Sequence, residues 1–186
     1  MPPESAKTHF ELFDLPAAFQ VDGEALSTRY RELQRTMHPD RFANAPDRER
    51  RLAMERAAQL NEAFRVLRDP LARARYLLEL RGHRFDDEHS TTRDPEFLME
   101  QMELREALAE VRDSADPLAR VGALMDQIAA RLKAMTDQLG DLLAADSAEA
   151  QHGEAVQTVL RMQFFRRLEE EARNLEADLE DELDAP

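Results

Sequence analysis

Three times in this sequence an aspartate is followed directly by a proline: Asp69-Pro70, Asp94-Pro95 and Asp116-Pro117. After each pair, apolar residues recur at helical spacing. The aspartate can accept hydrogen bonds from the free N–H groups of a first helical turn. Proline suits the first helical position, because the N–H it lacks would be unbonded there anyway. Three such starts commit the middle of the chain to helices. Composition points the same way, with only 5 glycines among 186 residues and a dominance of Ala, Leu, Glu and Arg.

The remaining segments read as helical too. Phe10, Leu12, Phe13 and Leu15 form a short apolar start that ends at Pro16. Asp22 can cap a helix whose buried face is Leu26, Tyr30, Leu33 and Met37, at 4-3-4 spacing. Arg31 and Arg35 lie one turn apart on its opposite face. Pro39 should end this helix, because a residue before proline is pushed out of the helical region. Asp47 is expected to cap the next helix, with the stripe Ala53, Ala57, Leu60, Phe64 and Leu67. These two helices suit an antiparallel pair. A short helix from Leu71 to about Arg81 should stop at Gly82, offering Tyr76, Leu77 and Leu78 as packing groups toward the C-terminal half. Residues 83–94 are polar and lack periodicity, and read as a linker. Beyond it come a helix to about Arg112, a second with the stripe Leu118, Val121, Met125, Ile128, Leu132, Met135, Leu139 and Leu142, and a third. The third is capped at Ser147 and runs to about Leu183, with Leu168, Ala172, Leu175 and Leu179 on its face. Three amphipathic helices with short connections predict an antiparallel bundle.

Charge divides the chain unequally. Residues 1–82 hold 14 basic and 13 acidic side chains, whereas residues 83–186 hold 11 and 26. The formal net charge of −14 makes nucleic acid an unsuitable partner, since phosphates require a basic surface. With no cysteine, the chain has neither disulfides nor thiolate ligands. No apolar run approaches a membrane span, and the N-terminus does not read as a secretory signal. A cytoplasmic location is the expectation.

Between the first two long helices stands His38-Pro39-Asp40. By itself such a tripeptide is an ordinary turn, with proline fixing a torsion and aspartate accepting a nearby N–H. Its setting is less ordinary: Arg31 and Arg35 precede it, Arg41 follows it, and the rest of the protein is acidic. A basic face beside a loop suits docking to a negatively charged partner. The arrangement resembles the J-domain, in which a basic helix and an HPD loop bind a DnaK-class chaperone. The resemblance implies stimulation of that chaperone's ATP hydrolysis, with Asp40 making the polar contacts, Pro39 shaping the loop and His38 adding a contact. The other histidines, His9, His83, His89 and His152, are scattered, which argues against a metal or acid–base role.

The helix after the linker has more apolar residues than one buried stripe needs. Phe97, Leu104, Leu108 and Val111 fall within roughly 60° of one another. Leu98, Met99 and Met102 occupy a second face, roughly 100° to 200° away. Glu106 lies among them and Glu103 at their edge. That face must serve a wide core, a contact with the N-terminal domain, or a binding patch, and methionine adapts well to the last.

The segment TTRDPEFLMEQMELREAL, following an HPD-bearing helical domain and a linker, resembles the HscB family of J-type co-chaperones in iron–sulfur cluster assembly. The likeness spans nearly the whole chain. It implies a non-enzymatic protein without cofactor or metal, with a J-domain at 1–82, a linker at 83–94 and a three-helix client-binding domain at 95–186 in an L-shaped all-α fold. The implied partners are an HscA/DnaK-type chaperone, at His38, Pro39, Asp40, Arg31, Arg35 and Arg41, and the IscU scaffold. The scaffold patch maps onto Leu98, Met99, Met102, Glu103, Glu106 and a phenylalanine of the last helix, aligned with Phe164. Periodicity leaves Phe164 and Phe165 at opposite edges of that helix's stripe. A monomer is expected. A different client for the same chaperone class, and a purely structural helical adaptor, remain the other readings.

Overall fold

The computed structural model describes residues 7–37, 45–85, 94–144 and 149–184. Among these residues every regular element is helical: α1 (His9–Leu12), α2 (Gly23–Met37), α3 (Asp47–Arg68), α4 (Pro70–Leu80), α5 (Pro95–Ala109), α6 (Pro117–Leu142) and α7 (Glu149–Asp184), with a 3-10 turn at Val111–Asp113. The chain divides into two compact units, one ending at Gly82 and one beginning at His83, with Leu143 and Ala144 grouped with the first.

In the first unit, α2 and α3 pack against each other, and α1 and α4 both pack on α3. Asp22 Oδ1 accepts from the N–H groups of Glu24 and Ala25 at 2.9 and 3.0 Å, which caps α2 as the sequence predicts. Tyr30 stacks on Phe64 with ring centroids 4.1 Å apart, and its hydroxyl donates to Asn61 Oδ1. Leu26, Leu60, Ala63 and Leu67 are buried within this unit. Asp47 does not cap α3. It is the first helical residue, Pro46 occupies the cap position, and the Asp47 carboxylate pairs with Arg50 one turn on. The Asp69-Pro70 start behaves as read: Asp69 Oδ1 accepts from the Ala72 N–H at 2.8 Å. Gly82 follows α4 at φ +90°, the left-handed conformation that glycine adopts without a Cβ penalty.

Tyr76 is used inside its own unit. Its hydroxyl accepts from the His9 N–H at 2.9 Å, and its ring stacks on that of His9 at 4.3 Å. Burial against this surface holds the His9 imidazole below its ordinary pKa of 6.5. Glu62 opposes the effect and Arg65 reinforces it. A depressed folded-state pKa means that the unfolded chain binds the proton more readily. The stability from neutral His9 is therefore present above 6.5 and is lost as pH falls through and below that value. The melting temperature should drop between about pH 7.5 and about pH 5.5, and His9→Gln should flatten that slope. The low-lying carboxylates of Glu11 and Glu62 lose their contribution only below 4.5, outside this window. Identical slopes in the two proteins would remove His9 from the account.

The second unit is a three-helix bundle whose directions are legible in its ion pairs. Asp94 pairs with Arg161, while Arg112, just past α5, reaches Glu182 at 2.6 Å and Asp178 at 3.6 Å. The start of α5 thus lies by the middle of α7 and its end by the end of α7, so the two run parallel. Arg131 on α6 reaches back to Glu100 at 2.6 Å, and Gln138 donates to Glu154 at 2.9 Å. The middle helix, α6, therefore runs against both. The shared core is formed by Phe97, Leu104 and Val111 with Val121, Leu124 and Ile128, and with Phe165, Leu168, Ala172 and Leu179. Two sequence expectations need correction here. The helix expected to reach Arg112 ends at Ala109, where the 3-10 turn carries the fully buried Val111 into the core. Leu124, outside the expected stripe of α6, is buried, whereas Leu118, Met125, Leu132 and Met135 are only partly so. The acidic stretch 176–184 continues α7 as a helix. Ser147 lies outside the described residues.

Candidate functional site

Two exposed surfaces carry the residues singled out in the sequence. The first is the outer face of α2. Arg31 and Arg35 are both exposed. Arg31 folds back on its own helix, donating from Nε to the Ser27 carbonyl at 3.2 Å and from Nη2 to Thr28 Oγ1 at 3.3 Å. No carboxylate among the described residues pairs with it. Arg29, two residues earlier, differs: Asp14 and Glu32 both pair with it and hold its pKa above the usual value. Arg31 is thus left as a cation that a partner's acidic surface could still neutralise. His38, Pro39, Asp40 and Arg41 lie outside the described residues.

The second surface is on α5. Asp94 Oδ1 accepts from the N–H groups of Glu96 and Phe97, at 3.0 and 3.4 Å, and Pro95 takes the first helical position. This start sets the register of the helix. Phe97 and Leu104, at 5% exposure each, enter the bundle core. The second apolar face is left in solvent: Leu98 is 39% exposed, Met99 62% and Met102 72%. Bundle packing does not need these side chains, so a partner could bury them without disturbing the core. Glu103 and Glu106 are exposed beside them and form no ion pair among the described residues. Met99 and Glu103 also line an open groove between α5 and α6, with Arg120, Gln127 and Arg131 on its far side.

The two phenylalanines of α7 separate cleanly. Phe165 is completely buried, while Phe164 is partly exposed at the edge of the core. Phe164 meets Phe97 edge-on, with centroids 5.8 Å apart, and Arg105 of α5 places its guanidinium over the Phe164 ring at 5.6 Å. Of the two, Phe164 is the one left partly exposed, beside Arg105 of α5. Sequence reasoning passed over Arg105. Its spacing of seven residues from Leu98, which puts both on one side of the helix, was the signal available.

A family model described as the HSCB C-terminal oligomerisation domain matches residues 93–173. A co-chaperone protein HscB homolog of Shewanella baltica is 43% identical over 173 residues, spanning 93% of this chain and 99% of the relative. The chain belongs to the HscB family. The solved structure of chaperone HscB from Vibrio cholerae superposes with a TM-score of 0.82 at 40% identity, covering 93% of this chain and 99% of that one. The human co-chaperone protein HscB superposes equally well, at 0.82, with 30% identity and coverage of 92% and 83%. In HscB terms, α1–α4 constitute the J-domain and α5–α7 the C-terminal bundle. Among the described residues no helix is long and apolar enough to cross a membrane. Nor does any group of three or more His, Asp or Glu among them converge as a metal site.

Proposed function

We propose that this chain is a non-enzymatic co-chaperone of iron–sulfur cluster assembly, acting on two partners at once. Its J-domain, residues 1–82, stimulates the ATPase of an HscA/DnaK-type chaperone through His38, Pro39 and Asp40, with Arg31, Arg35 and Arg41 as the basic surround. The bundle at 95–186, joined by the linker at 83–94, binds the IscU scaffold through Leu98, Met99, Met102, Glu103, Glu106 and Phe164. Joining the two brings the scaffold to the chaperone as ATP is hydrolysed and so aids cluster transfer. The protein acts as a monomer in the cytoplasm and carries no cluster of its own.

The observation that carries this reading is the surplus apolar face of α5. Leu98, Met99 and Met102 are exposed on a helix whose core stripe is already complete, in a chain of the HscB family. Solvated apolar groups grouped on one side of a helix mark an interaction surface. The test is the ATP turnover of an HscA-type chaperone with purified IscU and the chain, alone and together. Turnover should rise with the chain and rise further when IscU is also present. An ATPase rate that ignores the chain would end this reading.

A further inference from the structure

We infer that Arg161 is a positioning residue for the client-binding face: from α7 it holds the first turn of α5 and the Phe97 ring, and so sets where Phe164 stands relative to Leu98. This rests on the reading of α5 and Phe164 as the scaffold-binding face. The two parts of that face come from different helices, and the backbones of α5 and α7 make little close approach. Long side chains must therefore bridge the gap. At the start of α5 Arg161 does so, pairing with Asp94. Its guanidinium also lies over the Phe97 ring at 5.5 Å. Phe97 in turn meets Phe164 edge-on at 5.8 Å and Phe165 at 6.1 Å.

Asp94 divides its two carboxylate oxygens between the helices. Oδ1 accepts from the Glu96 and Phe97 N–H groups and so begins α5, while Oδ2 accepts from the Arg161 guanidinium of α7. One carboxylate thus fixes where α5 starts and where that start sits on α7. Leu98 follows Asp94, and Phe164 follows Arg161, by about one helical turn, so both parts of the face lie close to this clamp. The pair is half-buried, and Arg161 Nε is buried with no hydrogen-bond partner among the described residues. A partly exposed ion pair adds little net stability, and an orphaned N–H subtracts from it. For stability alone, an apolar side chain of similar size would serve as well or better. What the arginine supplies is direction, as a planar cation that meets a carboxylate and an aromatic ring at set angles. A second link between the helices, from Arg112 to Glu182 and Asp178, lies beyond the far end of α5, away from Leu98, Met99 and Phe164.

The test is titration calorimetry of purified IscU against the full chain, well below the melting temperature of every variant. Arg161→Met keeps an apolar cover on Phe97 and removes the charge and the planar head. It should weaken binding about fivefold, and Arg161→Lys, which keeps the pair with Asp94, should recover part of the loss. The deciding readout is coupling to Phe164. In a Phe164→Ala background there is no ring left to place, so Arg161→Met should cost little more. A residue that merely stabilises the bundle would cost the same factor in both backgrounds, and that result would overturn the inference. So would unchanged affinity in Arg161→Met. Met102→Ala belongs in the same series. If it loses affinity while Arg161→Met does not, the face stands and the role of Arg161 falls. If neither loses affinity, the scaffold-binding reading fails and this inference with it.

Discussion

Asp40→Asn is expected to abolish stimulation of the chaperone's ATPase while leaving the melting temperature, the helical signal and the affinity for the scaffold unchanged. The substitution is nearly isosteric and replaces a charged acceptor with a neutral amide. Truncating one side of a charged, hydrogen-bonded contact between proteins costs about 2–5 kcal/mol, or roughly 30- to several thousand-fold in affinity. At a concentration where the unaltered chain saturates the effect, the variant should do nothing. Folding should not suffer, because α2 and α3 pack against each other through side chains other than Asp40. Leu26, Leu60 and Leu67 are buried, and Tyr30 is stacked on Phe64 and bonded to Asn61. Scaffold binding should survive as well, because Leu98, Met99, Met102 and Phe164 belong to the other compact unit. The discriminating measurement is steady-state ATP turnover with calorimetry on the same sample. Undiminished stimulation by Asp40→Asn would remove His38-Pro39-Asp40 from the mechanism. Loss of stimulation together with loss of scaffold binding would point to general misfolding.

The more local a signal is, the more fully the sequence reveals it. The Asp-Pro starts are complete within four residues, and all three hold: Asp69, Asp94 and Asp116 each accept from N–H groups two or three residues on. The Asp47 signal failed for an equally local reason. The proline precedes the aspartate there instead of coming after it, so the proline takes the cap and the aspartate becomes the first helical residue. The end of α5 depends on more distant partners. Val111 leaves the helical path to enter the bundle core, and Arg112 turns toward Glu182, seventy residues away. The surplus face of α5 was legible as a surplus, since seven apolar residues cannot share one stripe. Its exposure was not, because that depends on which helices cover it. The choice between Phe164 and Phe165 lay beyond periodicity for the same reason. Burial by the neighbouring helices is what separates the two: Phe165 is wholly inside the core, and Phe164 is partly exposed at its edge.

That choice sharpens the second large effect. Replacing Leu98, Met99 and Phe164 together by Ala should weaken IscU binding at least tenfold, with little change in stability. Fully burying such side chains is worth roughly 1.5–3 kcal/mol each, and association consumes part of that gain. Each side chain contributes only the area it still exposes. Met99, 62% exposed, has more left to bury than Leu98 at 39%, so its single substitution should cost more. Phe164 is already partly covered by Phe97 and Arg105, but its ring is held at a fixed angle, so the partner meets an ordered surface. Phe165→Ala is the contrasting control. That ring is wholly inside the core, and removing it should cost about 3–5 kcal/mol of stability. Calorimetric titration with thermal melts of both variants separates the cases. The triple variant should lose affinity and keep its melting temperature, and the control should lower its melting temperature severely. Unchanged affinity in the triple variant would take the scaffold off α5 altogether. A triple variant that melts as early as the control would mean that the exposed stripe serves the core, contrary to the register that Asp94 and Pro95 impose on α5.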